Sequence, residues 1–215
     1  MSRDDRWKRR LEVQEIGKSP TLKMPQGIAL QTPDPVKAGQ RFYVEPQRHA
    51  ASAIHAMNAF LGGPGVSIEQ LTAFNRLWST RDEGRIDDIA GLPPLQTGEG
   101  NEADVPWAYL TYLHYASGGD SDLMPPVNLT IIDGASRRPE ARAIPEIPGD
   151  RCIVGTQDPA HFVTFRKDDQ GNWHLLDGAD PKLQQPIVDP KDYIRAMLQK
   201  PGAGAISLTT LQVSW

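Results

Sequence analysis

The chain has 215 residues, with 23 Lys and Arg against 27 Asp and Glu, for a formal net charge of −4. That length suits one domain, with or without an appendage, and the charge gives no reason to expect a nucleic acid or an anionic membrane as partner. A single cysteine excludes an intramolecular disulfide and a multi-cysteine metal site. No apolar run approaches membrane-spanning length and the charged N-terminus has no apolar core behind it, so a soluble protein of a reducing, cytoplasmic compartment is expected.

Residues 1–40 read as an appendage. Their first part is densely charged, and QTPDPVKAGQ follows as a Pro/Gly-rich linker. A short helix over Asp4–Ile16, a flexible arm and a targeting or secretion segment are all compatible with this stretch. Residues 41–215 form the second unit. Within it, Ala50, Ile54, Met57, Ala59, Phe60 and Leu61 recur close to helical spacing, with Pro46 ahead of the run and Gly62, Gly63 and Pro64 after it. A mostly buried helix of about three turns is predicted. Ser67 and Gln70 have capping-box spacing and should open a second helix running to about Trp78, with Ile68, Leu71, Phe74 and Leu77 on its buried face. The charged, Gly-rich stretch 79–103 reads as a loop or arm.

Asp104 can cap a third helix with Pro106 in its first turn. That helix is aromatic, carrying Trp107, Tyr112 and Tyr115, and it includes His114. From Val127 the period changes to that of strands: 128–133, 151–156, 161–167, 172–178 and 205–212 are predicted, with a hairpin turn over Lys167–Gly171. Asp189, Pro190 and Asp192 start a last helix to about Gln199. A few helices followed by a strand meander make an α+β fold.

Two histidines and several carboxylates fall in the strand region. His161 begins one strand and Asp177 ends the next, so antiparallel pairing across the hairpin should bring them together despite sixteen residues of separation. A carboxylate beside His161 would fix its tautomer and raise its basicity. Cys152 sits inside an apolar strand with no helix N-terminus beside it, and is expected to be buried and inert. His174 alternates with Trp173 and Leu175, and should face away from His161. A lone histidine on a helix, as at His114, is more often structural than functional.

The run S-A-I-H-A-M-N-A-F-L-G from Ser52, with Gln47 five positions upstream, resembles the nucleophile helix of the Josephin family, papain-fold cysteine peptidases that act as deubiquitinases. A-H-F-V-T-F-R-K…W-H-L-L-D-G resembles the family's histidine and Asn/Asp segment, and G-N-E-A-D-V-P-W its turn into a helix behind the active site. The resemblance covers roughly residues 44–212. It implies a papain-like fold, with the nucleophile helix and a helical arm packed on an antiparallel sheet, and the 79–103 stretch bordering a substrate cleft. It also implies a catalytic set: Ser52 at the position of the catalytic cysteine, His161 as base, Asp177 as the group orienting it, and Gln47 as oxyanion donor. His55 and Asn58 fall on the helix's conventional His and Asn. The hairpin is one residue longer than the family pattern, which leaves Asp180 as an alternative to Asp177. No cofactor or metal is implied. The implied partner is ubiquitin or a ubiquitin-like protein, with the enzyme a monomer.

Serine at position 52 departs from the family. A serine hydroxyl is far less acidic than a thiol, so the thiolate–imidazolium pair could not form. Three readings follow: a cysteine replaced to arrest the enzyme, a natural pseudo-enzyme retaining ubiquitin binding through the 79–103 arm and the aromatic helix, or a serine hydrolase. The other site residues are all in place, which favours the first. A papain-like peptidase acting on other peptides is a further alternative. The unmatched N-terminal stretch is compatible with a bacterial effector delivered into a host cytosol.

Overall fold

The computed structural model describes residues 41–47, 52–71, 105–116, 126–157, 160–180 and 186–212. The proposed appendage, the Asp104 cap and the 79–103 arm lie outside them. Helix α1 (Ser52–Leu61) comes first, residues 68–71 are helical where the second helix was expected to open, and α2 (Val105–Ala116) precedes strand β1 (Val127–Asp133) and a short 3₁₀ turn (Pro139–Arg142). Strands β2 (Arg151–Gln157), β3 (Ala160–Lys167) and β4 (Trp173–Leu176) follow, then helix α3 (Pro190–Leu198) and strand β5 (Ala205–Leu211). The five strands form one antiparallel sheet in the order β1-β5-β2-β3-β4. The architecture is mixed α and β, as the α+β expectation had it.

Local chemistry sets these boundaries. Gly62 takes a left-handed φ of 85° and ends α1, where its N–H and that of Gly63 both donate to Asn58 O. Ser67 and Gln70 form the expected capping box: Ser67 N donates to Gln70 Oε1 (2.8 Å) and Gln70 N to Ser67 Oγ (3.2 Å). Asp189 caps α3 by accepting from Lys191 N, with Pro190 in the first turn. The β3–β4 hairpin turns on Asp168, whose carboxylate accepts from Gln170 N, Asn172 N and His174 Nε2, and pairs with Arg41. Burial alone would raise the pKa of this carboxyl, but those donors hold it well below the usual range.

Both faces of the sheet are covered. On one, α1 and α2 pack with Val127, Ile153 and Phe162. On the other, α3 packs with Cys152, Val154, Val163, Phe165 and Ile206. Strand alternation assigns neighbouring residues to opposite layers, so Phe162 meets α1 while Val163 meets α3. The aromatic helix is a core element: Tyr109, Leu110, Tyr112 and Leu113 are all buried. That corrects the expectation of a binding surface on this helix. Tyr109 and Tyr112 share a core cluster with α1, Trp107 packs against it, and Trp107 Nε1 donates to Val127 O at 3.3 Å.

Asn58 ties α1 to the segments on either side of it. Its Nδ2 donates to Val66 O (3.1 Å) and Glu45 Oε1 (2.8 Å), and its Oδ1 accepts from Val66 N (2.7 Å). With Asn58 buried, Asn58→Ala leaves the Val66 amide and carbonyl unsatisfied. We expect a loss of about 2–4 kcal/mol in a urea unfolding series, against well under 1 kcal/mol for the exposed Ile68→Ala.

Candidate active site

The site forms at the end of β3 beyond its last pair with β4. Register there runs from Lys167↔Trp173 to Thr164↔Leu176, and then β4 stops. Continuing that register, Asp177 falls short of direct opposition to His161. The two meet on the diagonal, with His161 Nε2 3.0 and 3.1 Å from the two carboxylate oxygens of Asp177. Asp177, not Asp180, is the carboxylate that His161 meets. Both side chains are about one quarter exposed, so the pair borders solvent without being immersed in it.

Asp177 also accepts from Ala179 N at 2.9 Å. Its burial opposes ionisation, but the hydrogen bonds from His161 and Ala179 outweigh this and lower its pKa. An ionised carboxylate can only accept, so Nε2 of His161 carries the proton. In the neutral ring Nδ1 then holds the lone pair, the state a general base needs.

Ser52 comes to the same place from the other side. It is the first residue of α1, and its Oγ accepts from Phe162 N at 3.3 Å, the backbone amide just after His161. Two further bonds seat the helix on the sheet: Thr164 Oγ1 donates to Ala56 O (2.6 Å) and Arg151 Nη1 to Phe60 O (2.8 Å). Position 52 thus has two sources of positive potential, the helix N-terminus and the Phe162 amide.

Gln47 reaches the site through the loop after β4. Its N–H donates to Gly178 O at 2.7 Å, next to Asp177. Gly178 permits this approach, since a Cβ there would come within 2.8 Å of Glu45 O and 3.3 Å of Gln47 N. The contacts run in a chain: Ser52 Oγ meets the amide after His161, His161 meets Asp177, and the Gln47 backbone meets the residue after Asp177.

One residue that sequence reasoning passed over supports them. Glu45 accepts from Tyr43 Oη (2.9 Å) and Asn58 Nδ2 (2.8 Å), and its Oε1 lies 3.0 Å from His55 Nδ1. His55 and Asn58 are thereby engaged in anchoring the extended segment that carries Gln47. The available signal was an acidic residue ending the otherwise apolar run Phe42-Tyr43-Val44. The His55 hydrogen bond is the main cause of a Glu45 pKa lowered to about 2, with Asn58 and Tyr43 adding to it against the effect of burial. Burial, with Glu45 beside it, pushes the Tyr43 hydroxyl up.

Cys152 and His174 belong to the core and to the hairpin. Cys152 is fully buried in the α3 layer, and burial raises its thiol pKa well above the ordinary value. His174 lies 2.9 Å from Asp168 in the hairpin clamp. His114 is on α2, which packs on α1 and β1. Among the described residues no group of three or more His, Cys, Asp or Glu is placed to hold a metal, and no helix is long and apolar enough to cross a membrane. Set beside known proteins, the chain matches no protein-family model and no curated protein.

Two outcomes test this geometry. Glu45 has a depressed folded-state pKa, so its contribution to stability is present above the unfolded value of 4.5 and is lost as pH falls through about 2. Glu45→Gln should flatten the stability–pH curve across that window, measured by urea midpoints at each pH. Gly178→Ala should displace residues 45–47 and leave the sheet intact, seen as amide shift changes confined to 43–47 and 177–180.

Proposed function

We propose that the chain is a papain-like, Josephin-type cysteine peptidase domain that hydrolyses the peptide or isopeptide bond after the C-terminal glycine of ubiquitin or a ubiquitin-like protein, and that it carries serine in place of the nucleophilic cysteine. The observation that carries the reading is the convergence of a helix N-terminus, a histidine and a carboxylate. Residue 52 opens α1 and touches the amide after His161, while His161 is held by Asp177 through the nitrogen not needed for catalysis. The modifier rests on the resemblance of the 47–61 and 160–178 segments alone.

With cysteine at 52, His161 Nδ1 takes the thiol proton and the sulfur attacks the glycine carbonyl carbon. The charge that develops on the carbonyl oxygen is held by the Gln47 side-chain amide and the N–H of residue 52. Collapse breaks the C–N bond, and His161 delivers its proton to the departing amine. A water deprotonated by His161 then cleaves the thioester, which releases the carboxylate and restores the thiol. Asp177 stays ionised throughout and stabilises the imidazolium. With serine at 52 the thiolate is lost, and the domain would bind without cleaving. A natural pseudo-enzyme that binds ubiquitin is therefore the second reading, favoured by the serine itself. The cytosol, of its own cell or of a host, is where such a domain would meet its substrate.

The test is reaction of the Ser52→Cys protein with ubiquitin bearing a C-terminal electrophile, read by intact mass. We expect one ubiquitin added to Ser52→Cys, none to the Ser52 protein, and loss of the adduct with Ser52→Cys/His161→Ala. Ser52→Cys/Asp177→Asn should react about 10²–10⁴-fold more slowly. No adduct on Ser52→Cys would overturn the ubiquitin assignment, and cleavage of unrelated peptides by the same protein would point to a general peptidase.

A further inference from the structure

His161 has a second neighbourhood that the proposed chemistry does not use. A cavity of about 310 Å³ opens beside it, between the end of β2 and the turn linking α3 to β5. Gln157, Tyr193, Met197, Lys200 and Gly204 line it with His161, and Ser52, Gln47 and Asp177 do not. Strand alternation turns His161 toward this side of the sheet, and the Asp177 bonded to it acts electrostatically on the Tyr193 wall. His161 shares its face of β3 with Val163 and Phe165, which pack toward α3.

The shape of the cavity is built in. The Lys200–Gly204 turn is closed by Ala203 N donating to Lys200 O at 3.1 Å, with Gly202 at a φ of 75°. It sits so closely on Gly134 that a Cβ there would come within 2.4 Å of Gly204 O. The space itself is left open by Gly204: a Cβ at that position would meet only Gln157, at ordinary contact distances of 3.6 and 3.7 Å. Tyr193 and Met197 give an apolar wall. Lys200 is exposed at the rim, and no carboxylate lines the cavity among the described residues.

We propose that this cavity binds an acidic side chain of a peptide, on the leaving-group side of the scissile bond. The acyl half of a substrate must touch the nucleophile and the oxyanion donor, and the leaving half must touch the proton donor. A pocket that includes His161 but neither Ser52 nor Gln47 therefore belongs to the leaving half. The side assignment rests on the reading of His161 given above. The ligand chemistry rests on the cavity alone: an apolar wall suits the methylene stem of a glutamate, and the Lys200 ammonium, which makes no ion pair among the described residues, suits its carboxylate.

Binding is tested on the chain as it stands, with serine at 52. The probes are two capped glycine pentapeptides, one with a central glutamate and one with a central glutamine. The readout is chemical-shift change at the Met197 methyl and at the amides of 200–205. The glutamate peptide should bind there, about threefold more tightly than the glutamine peptide, with Lys200→Glu reversing the preference. Gly204→Ile should abolish binding of both while distant amides keep their shifts. Absence of shift changes in 200–205, or equal response to the two peptides with Lys200→Glu indifferent, would overturn the proposal. None of this needs catalysis, so it is separate from the failure of Ser52→Cys to react with ubiquitin. On a reactive Ser52→Cys protein, Lys200→Glu should slow cleavage of a glutamate-flanked isopeptide conjugate and leave release of a C-terminal aminocoumarin unchanged. Equal slowing of both would overturn the leaving-group assignment.

Discussion

The rest of the structure depends on the seam between α1 and the sheet. Three bonds cross it, at Ser52 Oγ, Ala56 O and Phe60 O, and these residues are spaced by four. They form one stripe along the helix. Their donors are the Phe162 amide, the buried Thr164 hydroxyl and the buried Arg151 guanidinium, so each is costly to leave unsatisfied. The apolar contacts of Ile54, Met57 and Phe60 supply most of the packing energy but are tolerant of small slides. The polar contacts fix the axial position of the helix, and with it where residue 52 stands.

The other parts are fixed by independent constraints. His161 is set by β3, which pairs with β2 from Ala160 to Arg166, with His161 opposite Thr156, and with β4 from Thr164 to Lys167. Asp177 is set by the end of β4 and by its own turn, through Ala179 N. Gln47 is set twice, by Gly178 O on one side and by the Glu45–Asn58 network on the other. A change to one of these supports shifts one partner and leaves the rest, which is why their effects on geometry can be separated.

Much of this was legible in the sequence, for particular physical reasons. The strands announced themselves by alternation, and four of the five matched the predicted limits within one residue. β4 was shorter than 172–178 because Asp177 and Gly178 leave the ladder to form the turn. The α3 cap and the Ser67–Gln70 box are local chemistry, readable without any tertiary knowledge. Glu45 was not legible, since its role exists only once residues 43–45 lie beside α1. The aromatic helix was misjudged because tyrosines suit both interfaces and cores, and only packing against α1 decides between them. The cavity was invisible for the same reason: it needs β2, α3 and the 200–204 turn to meet.

Serine at 52 changes the balance within the proposed mechanism at one point only. Asp177 supports a positive charge on His161 whichever atom loses the proton, so the base side does not distinguish oxygen from sulfur. The nucleophile side does. A helix N-terminus and one amide are enough to bring a thiol, of ordinary pKa about 8.5, down to the range where imidazole deprotonates it. The same donors leave a hydroxyl neutral, because it is far less acidic to begin with. Worse for attack, the Phe162 amide occupies a lone pair of the serine oxygen. A thiolate needs that amide as a stabilising donor, whereas a neutral hydroxyl loses nucleophilicity to it. The arrangement around position 52 therefore suits an anion that serine does not form, which is the physical ground for reading it as a cysteine site.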